Sequence, residues 1–488
     1  MSFQKHLFYA IAAILFLANV LVMNDYTSLW DGAETWVYWQ ALQGAQVKAL
    51  PEAILSLVYQ HGFFWFRLPG AMLLLIAFPV FAWATGRLWG KETVLGTLLV
   101  LAASLFVPNL AKLASGDVWA LVLQWLAYAA LLRYLKQPRL LWQLMFYLLF
   151  FLAVWVQAIQ SLVFLVGYSV YLYFAHPQGR NLQRLQPWLA GPAVAAVLYF
   201  AGVLDLDDQG FMFGFRTGRY LLWNFIGLLP FWGFWMAGLW ESITRARKGE
   251  ELARINLGAV IFALLGHSLA LQGILALLVA KQWQAYSRPA YPHKPIVLAG
   301  AVLHLVGILF AAILLLIAGF HEFGPVGFRA AAAAAGPYWV LSFVGVVGLL
   351  GGRRRYMAGG PVLAGLLVTT FFWLQLNPLL ESRRSWPEQL VSKAVSQVQQ
   401  ARGMACLVIS PVSEPVPKLA AYALEAFPAT EWVNTESAAR ASLESLHNTV
   451  VFMPEEWAKK LAPGKEITAR AEGWDDRLKG RVYVLLLY

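Results

Sequence analysis

The chain has 488 residues, of which 60% are apolar and 13% charged, and carries a formal net charge of +11. One soluble core of this length does not bury that much apolar surface, and a disordered chain does not contain it, so a membrane class follows. Residues 1–380 hold 24 Lys/Arg and 13 Asp/Glu while residues 381–488 hold 13 of each, so the whole excess sits on the apolar part.

The first apolar run, residues 7–23, follows Lys5 and His6 without a small-x-small cleavage pattern and is read as a retained helix. A spanning helix needs about 20 apolar residues, somewhat fewer inside a bundle. On that basis the chain divides into about thirteen spans: 6–23, 68–86, 93–108, 117–135, 140–156, 158–175, 188–203, 220–240, 255–267, 269–281, 296–318, 330–350 and 357–378. Loops on one side then hold 18 basic residues, among them Arg87, Arg133, Arg245, Lys281 and the run Arg353, Arg354 and Arg355. The opposite loops hold six: Lys48, Arg67, Lys112, Arg216, Arg219 and Arg329. This asymmetry puts the N-terminus in the cytoplasm and residues 381–488 outside it, and accounts for the basicity without nucleic acid. Nine of the 13 acids of the membrane part fall on the outer side, whereas the spans hold almost no ionisable group, His304 being an isolated exception. Chemistry at the outer boundary is thereby favoured over chemistry at mid-membrane.

The first outer loop, 24–67, contains two amphipathic stretches, 33–42 and 52–59, with Trp36, Tyr38, Trp39 and Tyr59, a composition suited to the membrane interface. Beyond Pro378 the texture changes. Helical periodicity at 386–402 and 418–427 alternates with strand-like runs at 404–410, 449–454 and 481–488, which reads as a small α/β domain with no Gly-rich phosphate loop, HExxH or nucleophilic Ser elbow. The single cysteine, Cys406, excludes an intrachain disulfide and a zinc site built on several cysteines.

Candidate chemistry lies in two outer segments. In LWDGAETWVYW, Asp31 and Glu34 stand three apart directly after the first span. They serve equally as helix cap and first-turn acid, or as a carboxylate that takes the proton of an incoming hydroxyl. In KLASGDVWALVLQ, Asp117 opens the fourth span, as an ordinary N-cap or as a second acid of the same cleft. A phosphate leaving group would need cations, and Lys112, Arg216 and Arg219 are the outer-side candidates, with His61 and Arg67 weaker ones; headgroup contact or snorkelling accounts for such residues too. His267 reads as an interhelical histidine satisfied by its neighbours.

The order of these features resembles the GT-C glycosyltransferases, especially the bacterial branch related to lipid A aminoarabinose transferase and the protein O-mannosyltransferases. The resemblance covers most of the chain: the acids after the first span, interfacial helices, FRLPGA at 66–71, ASGD at 114–117, GLLPFW at 227–232, and a terminal outer α/β domain. It implies a polytopic helical membrane protein that transfers a sugar, with inversion, from a polyprenyl-phosphate donor to a lipid, glycan or protein acceptor at the outer face of a bacterial cytoplasmic membrane. Glu34 matches the Glu of the family's Asp-Glu pair and Asp117 its later acid. The chain departs from the pattern at Ala33, which stands in place of the principal catalytic Asp, at a missing lysine-proline-proline segment, and at QAIQS (157–161), which replaces a lysine-glycine pair.

No organic cofactor is expected, and two separated acids do not define a metal coordination set. A catalytically degenerate subunit that binds lipid or a partner, and a transporter, are the rival classes. The transporter would call for ionisable groups or broken helices near mid-membrane. For the topology, an alkaline phosphatase fused after Tyr488 is expected to be active in a bacterial host; an active cytoplasmic reporter at that point would reverse the orientation.

Overall fold

The computed structural model describes residues 2–22, 32–43, 54–55, 57–58, 62–86, 90–182, 196, 215–286, 288, 290–398, 404–411, 417–444, 448–474 and 480–487. In chain order the helices begin with α1 (Ser2–Leu21), α2 (Gly32–Leu42), α3 (Phe63–Gly86), α4 (Lys91–Ala102), α5 (Gly116–Lys136), α6 (Leu140–Val156) and α7 (Ala158–Ala175), the last with a π-helical turn at Leu162–Val166. They continue with α8 (Phe215–Gly227), α9 (Trp232–Arg247), α10 (Glu251–Leu265), α11 (Leu271–Tyr286), α12 (Lys294–Leu350) and α13 (Arg354–Phe371), then a π turn at Phe372–Leu376 and α14 (Asn377–Arg384). The C-terminal part adds α15 (Trp386–Gln397), β1 (Ala405–Ile409), α16 (Lys418–Ala426), β2 (Ala429–Val433), α17 (Glu436–Glu444), β3 (Thr449–Pro454), α18 (Glu455–Leu461), β4 (Ala469–Trp474) and β5 (Gly480–Leu487).

Two compact units result: residues 1–22, 48–51 and 67–376, and residues 23–47, 52–66 and 377–488. The first is a helical membrane unit. Among the described residues five helices are long and apolar enough to cross a bilayer, or six if a bent pair counts as one span. The expected thirteen are therefore not reached. At 12, 15 and 16 residues, α4, α10 and α11 cover only about 18–24 Å at 1.5 Å per residue, short of a hydrocarbon layer of about 30 Å. The span expected at 220–240 is instead α8 and α9, bent by 64° about a short turn whose Pro230 supplies no backbone N–H. The span expected at 188–203 falls, except for residue 196, outside the described residues.

The spans expected at 296–318 and 330–350 are the two arms of α12, which break at Gly324 with φ 61° and ψ −148°. Glycine takes that conformation without a Cβ penalty, and Pro325 disfavours helical geometry in the residue before it. The arms cross at Gly319 and Gly327, where a Cβ on Gly327 would lie 2.0 Å from the Gly319 oxygen. Among the five candidate spans α12 buries least, with 11% of its most apolar window inside the protein, whereas α5 buries 89% of its own. At one end of the unit Glu241 of α9 is buried among Arg245 (2.7 Å), Lys281 (3.8 Å) and Gln282.

In the second unit a five-stranded sheet has the order β2-β1-β3-β5-β4. β1 is parallel to β2 and β3, whereas β5 runs antiparallel to β3 and β4. β3 is buried along its whole length, as a central strand covered on both faces should be. Trp386 of α15 stacks on Tyr483 of β5 at 4.4 Å and donates its indole N–H to the Trp474 carbonyl at 2.8 Å. Cys406 lies in this core, and burial pushes its thiol up to about 12, away from thiolate chemistry.

The backbone approaches as closely at Gly365 of α13, where an added Cβ would meet the Ala103 carbonyl oxygen at 2.0 Å. Gly365→Ala is expected to cost about 1–3 kcal/mol through overpacking, read as a lower melting temperature in detergent. Gly307→Ala, where a Cβ meets nothing within 4 Å, is expected to leave that temperature unchanged or raise it.

Candidate functional site

The chain leaves α4 through Ala103–Leu105, makes a short helix at Val107–Leu110, and turns through Lys112 into α5. Ser104 shapes this passage, its hydroxyl accepting the backbone N–H groups of Phe106 and Val107. Lys112 is 2% exposed. Its ammonium donates to the Val22 carbonyl at the end of α1 at 2.5 Å and lies 4.8 Å from the centre of the Trp373 ring, in the π turn after α13. The Trp373 indole donates to Asn109 Oδ1 at 2.6 Å, and Asn109 Nδ2 donates to the Leu105 carbonyl. Nearby, Asn19 of α1 donates to the Leu366 carbonyl and accepts from Thr370, tying α1 to α13.

A second buried cation, Arg67 of α3, is 1% exposed and acts electrostatically on Lys112. Burial first, and the Arg67 charge second, bring the Lys112 ammonium down from its usual value near 10.5 to about 7. Burial and mutual repulsion both disfavour the charged forms of two cations held this way.

Asp117 lies in the first turn of α5. The Gln157 amide donates to its Oδ1 at 2.6 Å from the break between α6 and α7, where Gln157 takes φ −142° and ψ 89°. Thus Lys112 and Arg67 interact with each other electrostatically, and Asp117, five residues beyond Lys112, is held by Gln157. Trp373 and Gln157 were not predicted as site residues: the first reads as one more interfacial tryptophan, and the second shows only as a departure from a family pattern.

Glu34 belongs to the second unit, in the first turn of α2, and is fully buried. Beside it Tyr38 and Trp39 are buried, while Trp36 is exposed. Tyr38 packs edge-on against Phe66 at 5.4 Å, and Phe63 against Tyr422 of α16 at 6.3 Å. Asp31 and His61 fall outside the described residues. Arg216 and Arg219 lie on the first turns of α8, their side chains outside the described part. Tyr220, next on the same helix, hydrogen-bonds the Ser268 carbonyl and stacks on His267, which takes a φ of 50° in the turn between α10 and α11. His304 stacks on Tyr338 and lines a separate cavity of about 20 Å³ with Ser342 and Pro361. Among the described residues no group of three or more His, Cys, Asp or Glu could hold a metal ion.

This architecture, a helical membrane unit followed by a small α/β unit, is shared with solved structures of another protein. The solved structures it is similar to include ArnT from Cupriavidus metallidurans in the apo state, at 15% identity and a TM-score of 0.68 over 99% of this chain and 98% of that one. They also include the same transferase bound to undecaprenyl phosphate, at 14% identity and a TM-score of 0.65 over the same shares. At this identity the likeness defines the fold. No protein-family profile matches the sequence, and no curated protein is significantly similar to it.

Between about pH 7 and 10.5 the unfolded chain keeps a proton on Lys112 that the folded chain has released, so the stability Lys112 permits is greatest above that window and falls as pH drops through it. The melting temperature is expected to rise with pH across this range, and Lys112→Met to flatten the rise and increase stability near pH 6. An unchanged slope in the variant would mean that the lysine stays charged when the protein folds.

Proposed function

We propose that this chain is a membrane glycosyltransferase that takes a sugar from a polyprenyl-phosphate donor and passes it to an acceptor on the outer face of the cytoplasmic membrane. The observation that carries the reading is the buried pair Lys112 and Arg67, within a fold whose solved counterpart binds undecaprenyl phosphate. As the glycosidic bond to phosphate breaks, negative charge grows on the leaving group, and prearranged cations stabilise that charge more than they stabilise the ground state. Lys112 and Arg67 fill this role, with Arg216 and Arg219 of α8 as further donor-phosphate contacts.

The acceptor hydroxyl must lose its proton as it attacks, with inversion at the sugar carbon. Glu34 and Asp31 are the carboxylates assigned to that step, and Asp117 is the second acid of the site. Ala33 removes the principal carboxylate of the related enzymes, so the base falls to a neighbour of that position.

The test is transfer of sugar from labelled polyprenyl-phosphate donors in membranes that overexpress the protein. Asp31→Asn, Glu34→Gln and Asp117→Asn keep shape and hydrogen bonding but remove the base, and at least one is expected to lose about 10²–10⁴-fold in turnover while remaining folded. Activity unchanged in all three would remove the proposed acids. Undecaprenyl phosphate binding is expected to draw a proton onto Lys112 and so to weaken as pH rises above about 7. Calorimetry in two buffers of different ionisation enthalpy should register this uptake in the wild type and not in Lys112→Met.

A further inference from the structure

α5 is joined to the broken helix pair α6 and α7 by two polar rungs. The upper rung is the Gln157 amide on Asp117. The lower is the Gln124 amide donating to Ser161 Oγ at 3.0 Å. Gln124 follows Asp117 by seven residues and Ser161 follows Gln157 by four, so both rungs fall on facing stripes of the two helices.

The lower rung is embedded in a hydrogen-bond chain that points one way. Tyr220 OH donates to the Ser268 carbonyl at 2.7 Å, Ser268 Oγ to Gln124 Oε1 at 2.6 Å, Gln124 Nε2 to Ser161 Oγ, and Ser161 Oγ across the helix break to the Ala153 carbonyl at 2.9 Å. Gln124, Ser161 and Ser268 are wholly buried, where successive bonds polarise one another and a misplaced partner has no water to turn to. The break that carries Gln157 is therefore held in one geometry.

We propose that Gln157 is a positioning residue of the transferase site. It fixes the orientation of the Asp117 carboxylate and favours its ionised form, and the Gln124–Ser161 rung holds the break from which it reaches. The inference rests on the functional reading above.

The experiment follows kcat/KM for sugar transfer against pH in Gln157→Leu, Gln157→Glu and Ser161→Ala, with Lys112 and Arg67 of the same end kept intact in every variant. Losing a hydrogen bond to a charged carboxylate is expected to cost Gln157→Leu about ten- to a hundredfold near neutral pH. It also disfavours the ionised form, so the acidic limb of the profile should move to higher pH, further in Gln157→Glu, where a second carboxylate faces Asp117, and less in Ser161→Ala. In an Asp117→Asn background, Gln157→Leu should cost nothing more. A limb that stays in place, or losses that multiply in the double variant, overturns the positioning role even when the wild type transfers sugar. A wild type that transfers no sugar from any polyprenyl-phosphate donor overturns the functional reading instead.

Discussion

The contact of the Lys112 ammonium with the Val22 carbonyl, just past the end of α1, and the face of Trp373 is the junction on which the membrane unit converges. It joins the turn before α5 to the ends of two other helices, in a part of the protein with almost no access to water. The free carbonyls of a helix C-terminus carry partial negative charge and suit a cation, although such a contact is worth only about 0.3–2 kcal/mol. Moving an ammonium out of water costs several kcal/mol, and the neighbouring Arg67 adds repulsion. The fold therefore holds two cations within electrostatic reach of each other where water scarcely penetrates.

The rest of the unit keeps that place fixed. α8 and α9 bend at the Pro230 turn, α6 and α7 part at Gln157, and α10 and α11 meet at a turn buried against Gln124, so several short helices end inside the bundle. Every such ending exposes backbone carbonyls and N–H groups that lipid cannot satisfy. They are met here by serine, asparagine, glutamine and tyrosine side chains, which explains the run of buried amides and hydroxyls along the interior stripe. Polar side chains spent in this way confer precision at one end of an otherwise apolar molecule.

Much of the architecture was legible in the amino-acid order, because hydropathy marks long spans such as α3, α5 and α13 directly. The buried strands β1, β3 and β5 were legible for a similar reason, as short β-branched and aromatic runs. β2 and β4 were not: they are the edges of the sheet, and their Glu431, Arg470 and Glu472 give the charged pattern by which edges resist further pairing while hiding them from a hydropathy reading. The short helices of the membrane unit read as complete spans because apolarity alone does not distinguish lipid from a protein interior. At the site, charge and side pointed to Lys112 and Asp117. Neutral partners such as Gln157 and Trp373 carry no comparable signal, and only the three-dimensional arrangement brings them to the ionised groups.

Glu34 bears most closely on the departure at Ala33. In the first turn of α2 its carboxylate gains from the helix dipole, which is the role that capping alone assigns it. That gain is typically 0.3–1 kcal/mol at the surface, where capping acids normally stand. Glu34 instead has no exposed surface, and burying a carboxylate costs several kcal/mol before its partners are counted. Helix capping is too small to account for the position by itself. A buried acid is maintained where its charge or its proton is used, or where a specific partner requires it. Either way the second unit keeps a buried acid next to Ala33.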